Sequence, residues 1–216
     1  MTLDLEALEA RRCEGAVGSA APASESGSQV LSAYDVVLMD PPWLYYGDPN
    51  KDQAAGKHYA CLSDAEIAQF PVPDWLTHRG ILYVWVTSSM LSRALHIAED
   101  AWKLTYRGTA FVWVKTRKDG TPIHGQGVRP SITKPTSESV LAFSRVVRGR
   151  PLPILRENVP QVILAPRTRH HSEKPAEVRR NIEQLHGPVR RLEVFARHRV
   201  PGWDAFGNEV GKLIVP

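Results

Sequence analysis

Apolar positions recur along the chain at two spacings. The run Val36-Val37-Leu38-Met39 predicts a first strand over Tyr34–Met39. Ile81–Val86 is continuously apolar, the pattern of a strand in a sheet buried on both faces. It leads through Thr87-Ser88-Ser89 into a helix reaching about Trp102, with Met90, Leu91, Ala94, Leu95 and Ala98 on one stripe. Thr109–Val114 and Ser139–Ser144 predict two more strands, and Val162–Leu164 a short one. Lys174–His186 reads as an amphipathic helix turning Val178, Ile182 and Leu185 inward, stopped by Gly187-Pro188. Leu192–Ala196 is the last clear strand, and Pro201–Glu209 is turn-rich. Ser63-Asp64-Ala65-Glu66 has the form of a capping box. Strands alternating with helices predict a wound α/β sheet.

Residues 1–32 stand apart. Beyond a possible short helix over 3–12, Ala, Gly, Ser and Pro dominate and cannot bury enough to order themselves, so a flexible extension is expected there. Residues 33–216 are expected to form a single domain. The start, Met1-Thr2-Leu3-Asp4-Leu5, is acidic and unlike a signal peptide. No stretch approaches a membrane span. Cys13 and Cys61 match no metal spacing. A reduced, cytoplasmic setting without a metal is the expectation.

The 216 residues carry a net charge of +4, unevenly spread. In residues 1–34 two arginines stand against five carboxylates, a net −3, which leaves +7 on the rest. A basic body behind an acidic tail favours a polyanionic partner.

The candidate chemistry lies where the first strand ends. Asp40-Pro41-Pro42-Trp43 places an acid, two prolines and an aromatic at the carboxyl end of a buried strand, where open α/β sheets bind ligands. This suits an exocyclic amine on a nucleobase. Adenine's amino group is a poor nucleophile because its lone pair is delocalised into the ring. A site that methylates it must draw both N–H hydrogens out of the ring plane. Ionised Asp40 can accept one of them through a charge-assisted hydrogen bond, and the carbonyl of Pro41 the other. Two prolines stiffen the main chain that presents these groups. Trp43 offers a face for a base extruded from its stack.

Towards the carboxyl end, Leu192–His198 runs a strand into polar residues, followed by Gly207-Asn208-Glu209. Asn208 and Glu209 suit ribose hydroxyls, and Arg197 a ribose or a carboxylate. Lys174 and Pro175 stand at a helix start, where proline is well accommodated. An early Gly-x-Gly-x-x-Gly is missing.

Taken in order, these blocks resemble the MT-A70 family of S-adenosylmethionine-dependent adenine-N6 methyltransferases, which includes the catalytic subunit of the eukaryotic messenger-RNA writer and many bacterial and phage enzymes. The resemblance is carried by Asp40–Trp43, Tyr59 before Leu62-Ser63-Asp64, Gly80–Thr87, Val112–Thr116, Lys174-Pro175-x-Glu177, Leu192–Arg197 and Gly207–Glu209, and spans roughly residues 34–210. It implies a Rossmann-like methyltransferase fold, a mostly parallel sheet with helices on both faces, in which the catalytic block precedes the cofactor-binding strand. By resemblance, Asp40, Pro41, Pro42 and Trp43 form the amino-group clamp and stacking platform. Lys174 stands beside cofactor and base; Arg197, His198, Asn208 and Glu209 contact S-adenosylmethionine, with Asp40 near the donor. Tyr59 and Glu138 match positions lining the adenine pocket. The long amino-terminal regions, zinc-finger modules and silent partner subunit of eukaryotic members are not visible.

The expected reaction is a direct in-line displacement, with no covalent enzyme intermediate and no metal. Arg117-Lys118, His124, Arg129, Lys134, Arg145, Arg148, Arg150, Arg167, Arg169 and His170 could track phosphates, with Arg129–Lys134 the stronger candidate. DNA is favoured as the partner, with a monomer or homodimer. Three alternatives stay open: adenosine in RNA, a non-catalytic nucleic-acid-binding scaffold, and a small-molecule amine.

Overall fold

The computed structural model describes residues 33–44, 61–125, 134–167 and 173–207. The expected extension over residues 1–32 lies outside them. Seven strands form one sheet: β1 (Tyr34–Met39), β2 (Leu76–Val86), β3 (Thr105–Thr116), β4 (Ser137–Ser144), β5 (Val162–Pro166), β6 (Arg191–Val194) and β7 (Asp204–Phe206). Their spatial order is β5-β3-β4-β2-β1-β6-β7. Only the pairs β2–β4 and β3–β4 are antiparallel, so β4 alone runs against the other six. This is the mostly parallel, Rossmann-like α/β sheet expected. All parallel strands therefore end at one edge, where β4 begins.

The helical segments are α1 (Asp64–Ala68), α2 (Val72–Trp75), α3 (Leu91–His96) and α4 (Ala176–His186). A 3-10 turn over Ser88–Met90 precedes α3, and a π-helical turn over Ile97–Ala101 follows it. Ser63 caps α1 through the predicted box: its hydroxyl accepts from the Glu66 N–H, and Glu66 accepts from the Ser63 N–H at 2.8 Å. The buried stripe of the α3 segment is Met90, Ala94, Ile97 and Ala98. Leu91, expected on it, is exposed, because one residue is about 100° of helical rotation away from Met90.

Alternation divides the sheet between two faces. Val36, Leu38, Ile81, Tyr83, Trp85, Phe111, Trp113 and Val140 form one core with Val178 and Ile182 of α4. Val37, Met39, Leu82, Val84 and Val86 point the other way, where α2 and α3 pack on β2. Several strands exceed the apolar runs that predict them. β2 begins at Leu76, paired with Tyr34 ahead of a register shift, and β3 at Thr105, paired with Ser144, because the backbone, not the side chain, makes the ladder. Conversely β6 stops at Val194, because Phe195 adopts φ 62°, incompatible with a strand. The turn-rich segment holds β7, paired with β6. Among the described residues, no helix is long and apolar enough to cross a membrane.

Candidate active site

The α4-side core turns ionisable in one step at the carboxyl edge. Two residues beyond Leu38 stands Asp40, and two beyond Trp113 stands Lys115; β4 runs the other way, so Glu138 lies two before Val140. The register sets Trp113 opposite Glu138, and Trp85 opposite Val140. With a period of two, Asp40, Lys115 and Glu138 must all lie on this one face. Lys174, just ahead of α4, completes the group. Its Nζ donates to Asp40 Oδ2 at 2.7 Å and lies 3.5 Å from Glu138 Oε2, while Lys115 Nζ donates to Glu138 Oε1 at 2.5 Å. Four charges of alternating sign thus span the sheet from β1 across β2 and β4 to β3.

Their burial makes the alternation necessary. The Lys174 and Glu138 side chains are 11% and 12% exposed, whereas Asp40 keeps 30%. Burial pushes the Asp40 carboxyl above the usual carboxylate range; Lys174 pulls it back without cancelling the rise, and Glu138 adds to it. Burial pushes Glu138 up as well, but Lys174 and Lys115 together carry it below its ordinary value. Each lysine also stands over an indole: Lys115 is 5.0 Å from the Trp113 ring centre and Lys174 5.6 Å from that of Trp85.

The proline corner is tightly braced. The Trp43 N–H donates to the Pro41 carbonyl at 2.8 Å, and the Leu62 N–H to the Pro42 carbonyl at 2.8 Å. A carbonyl oxygen has two lone pairs, so Pro41 retains one for a further donor. Trp43 differs from the open stacking platform expected. It is only 6% exposed, its indole N–H donates to the Trp85 carbonyl at 3.3 Å, and the Arg93 guanidinium lies 5.7 Å over its ring. Arg93 binds both Asp64 oxygens and donates to the Leu44 carbonyl at 2.7 Å. One side chain therefore ties α3, α1 and the corner together.

The turn after β6 meets this corner because β6 is the parallel neighbour of β1. Arg197 lies close enough to Asp40 to lower its proton affinity, and His198 acts likewise on Glu193. Burial raises Glu193, which pairs with Arg179 of α4 at 2.9 Å. Gly207 folds back on this turn so closely that a Cβ would stand 2.5 Å from the Ala196 carbonyl oxygen.

Asp40, Lys174, Glu138 and Arg197 are thus brought together. Tyr59, Arg129, Asn208 and Glu209, with Arg169 and His170, lie outside the described residues. Lys134 and His124 are exposed where β3 connects to β4, and Arg117, Lys118 and Arg167 also leave strands at the carboxyl edge. Arg145, Arg148 and Arg150 do not belong with them. They follow the carboxyl end of the reversed strand β4, and so lie at the opposite edge. Lys115, Arg93 and Glu193 were not among the residues expected. Lys115 has a signal in its two-residue step from Trp113; Arg93 has none in the sequence.

A family model described as MT-A70 matches residues 34–209. The chain is 30% identical over 203 residues to the type II methyltransferase M.MunI of Mycoplasma sp, covering 85% of this chain and 81% of that protein. It is 28% identical over 195 residues to the human N(6)-adenine-specific methyltransferase METTL4, covering 83% of this chain and 38% of that protein. With the N6-methyladenosine RNA methyltransferase MTA1 of Pyricularia oryzae it shares 28% identity over 193 residues, covering 82% of this chain and 47% of that protein.

Proposed function

The chain belongs to the MT-A70 family, and on that footing we propose that it transfers a methyl group from S-adenosylmethionine to the N6 amino group of adenine in DNA. One observation carries the reading. Asp40 stands at the carboxyl edge of the sheet, held by Lys174 at 2.7 Å, with part of its surface left open.

Ionised Asp40 accepts one amine hydrogen, and the spare lone pair of the Pro41 carbonyl accepts the other. Drawing both out of the ring plane leaves the nitrogen lone pair free to react. Lys174 fixes the carboxylate in position and keeps it charged. Trp43 braces the corner through its bond to Trp85, and Glu138 and Tyr59 line the base pocket. Arg129 and Lys134 take flanking phosphates. The catalytic gain comes from alignment and from charges fixed before the reaction.

The residues present fit a sulfonium donor. The turn after β6, pulled tight by Gly207, lies beside an acidic group at the carboxyl ends of two parallel strands. Arg197, Lys174 and His198 would hold its carboxylate end, and Asn208 and Glu209 its ribose hydroxyls. S-adenosylmethionine supplies the electrophilic methyl group when bound.

DNA is preferred because the similarity spans 81% of the type II methyltransferase but only 47% of the relative named for RNA. The test is incubation with methyl-labelled S-adenosylmethionine and matched DNA and RNA oligonucleotides, followed by identification of the modified nucleoside. N6-methyladenine from DNA is the expected product; label in RNA alone would move the reading to RNA. Asp40→Ala should abolish transfer while cofactor binding persists, and full activity in that variant would remove the mechanism.

A further inference from the structure

The second edge of the sheet carries a cationic surface that the proposed reaction does not use. Arg79 leaves the start of β2, Arg107 the start of β3, and Arg145, Arg148 and Arg150 lie in the loop after β4. All five are exposed. Guanidinium groups hold the loop down, alongside Leu152, which is buried in the core. Arg107 donates to the carbonyls of Val146 at 3.3 Å, Val147 at 3.1 Å and Gly149. Arg79 donates to the carbonyls of Pro151 at 2.5 Å and Arg150 at 3.1 Å, and Arg145 to that of Pro73.

These partners are neutral, so they order the arginines without cancelling their charge. Among the described ion pairs, only Arg150 of this group meets a carboxylate, Glu157 at 3.1 Å. That pair is largely exposed and contributes little. Asp74 stands beside Pro73, and Asp35, at the start of β1, accepts from the Thr77 hydroxyl at 3.3 Å. Among the described ion pairs, neither of these two aspartates meets one of the five arginines, so the loop keeps a cationic excess. The loop tip presents Val147, 70% exposed, between the cationic side chains, an arrangement no core requires.

Asp40 lies at the level of Val140, and Ser144 is four residues along β4, roughly 13 Å at 3.3 Å per residue. The loop extends further still. A phosphate bound there cannot belong to the nucleotide in the catalytic corner.

We infer that this edge is a second nucleic-acid contact surface, at which Arg148 and Arg150 engage backbone phosphates of duplex DNA without reading sequence. Guanidinium forks match phosphate oxygens, and a pre-ordered loop loses less freedom on binding. The surface would retain the enzyme on one stretch of polymer while another occupies the active site. The inference rests on the reading that the substrate is nucleic acid.

Anisotropy of a labelled duplex over a salt series tests it. In Arg148→Ala/Arg150→Ala, the slope of log affinity against log salt should shrink by about 1.8, two contacts at about 0.9 each. Transfer to an oligonucleotide too short to leave the catalytic corner should not change. Arg148→Lys/Arg150→Lys should keep most of the slope. An unchanged slope with transfer to DNA intact overturns this surface alone, whereas no transfer to any polynucleotide overturns the functional reading itself. Binding to anionic lipid vesicles that the double alanine variant loses, without an effect on DNA, would also overturn it.

Discussion

Lys174 and Asp40, 134 positions apart in sequence, meet at 2.7 Å at the carboxyl edge of the sheet. The ammonium separates two carboxylates that would otherwise face each other in a poorly hydrated site, since Glu138 lies 3.5 Å on its other side. Burial raises the Asp40 carboxyl, with Glu138 adding to the rise, so protonation begins at a higher pH than for an ordinary aspartate. In the proposed reaction the ionised form is the stronger acceptor of an amine hydrogen, because its bond is charge-assisted. Activity should therefore fall as pH drops, with an acid limb above the usual carboxylate range. Lys174→Met removes the main opposing charge and should move that limb to still higher pH, slowing transfer at neutral pH about 100-fold. The pH profile of kcat/KM measures both. An acid limb that stays in place would show that the Asp40 proton does not control the rate.

Arg93 offers a second test, because it touches the corner without reaching the reacting groups. It grips Asp64, donates to the Leu44 carbonyl at 2.7 Å and covers the Trp43 ring. Its loss should let the Asp40–Trp43 segment shift, and a displacement of about 1 Å can cost about 100-fold. Arg93→Ala should lower kcat by that order while leaving the KM for S-adenosylmethionine nearly unchanged. Arg93→Lys should recover little, since an ammonium cannot bind the carboxylate in a fork. Full recovery by lysine would mean that charge alone is needed.

What could be read in advance follows a physical division. β1 matches Tyr34–Met39 because an apolar run ends abruptly at an acid, and the capping box of α1 is a local contact over three residues. Asp40–Trp43 is legible because its chemistry lies within four consecutive positions. Leu76 and Thr105–Tyr106 are strand by virtue of backbone pairing with β1 and β4, and Thr77–Gly80 and Arg107 fall in the register shifts that follow, none of which side chains announce. Lys115 and Glu138 become neighbours only through the register that sets Trp113 opposite Glu138. The reversed direction of β4 alone carries Arg145, Arg148 and Arg150 away from Asp40, so a tally of basic residues could not separate them from Lys134.

Gly207 joins the end of β7 to the turn at Phe195–Arg197. A Cβ there would meet the Ala196 carbonyl oxygen at 2.5 Å and its nitrogen at 2.7 Å, both backbone atoms that cannot rotate away. The turn has little slack, since Phe195 already occupies the left-handed region at φ 62°. Gly207→Ala should displace the segment bearing Arg197, raising the KM for S-adenosylmethionine at least tenfold. It should also destabilise the fold by about 1–3 kcal/mol, as overpacking does elsewhere. Calorimetric titration with the cofactor and a urea melt read the two effects separately. Unaltered cofactor affinity would detach this turn from the binding site.

A buried polar pair gives the stability of the fold its own pH dependence. His186 Nδ1 lies 3.2 Å from the Pro153 carbonyl, and its Nε2 lies 2.8 Å from the Tyr83 hydroxyl. A carbonyl only accepts, so the Nδ1 carries the hydrogen and Nε2 accepts from Tyr83. The neutral ring satisfies both contacts. Burial, reinforced by the charge of Arg191, lowers the proton affinity of His186, against the opposing pull of the Pro153 carbonyl and Asp35. In the unfolded chain the ring protonates near 6.5. Above that pH both states are neutral and the full stability is present. As pH falls through it, the unfolded chain takes up a proton that the folded state resists, and stability declines. Urea denaturation from about pH 8 to about pH 5 should show this loss, and His186→Leu should flatten it. Tyr83→Phe should cost about 1–3 kcal/mol even above neutrality, because it leaves the buried Nε2 without a donor. If His186→Leu kept the same acid-side decline, the dependence would have to come from other groups.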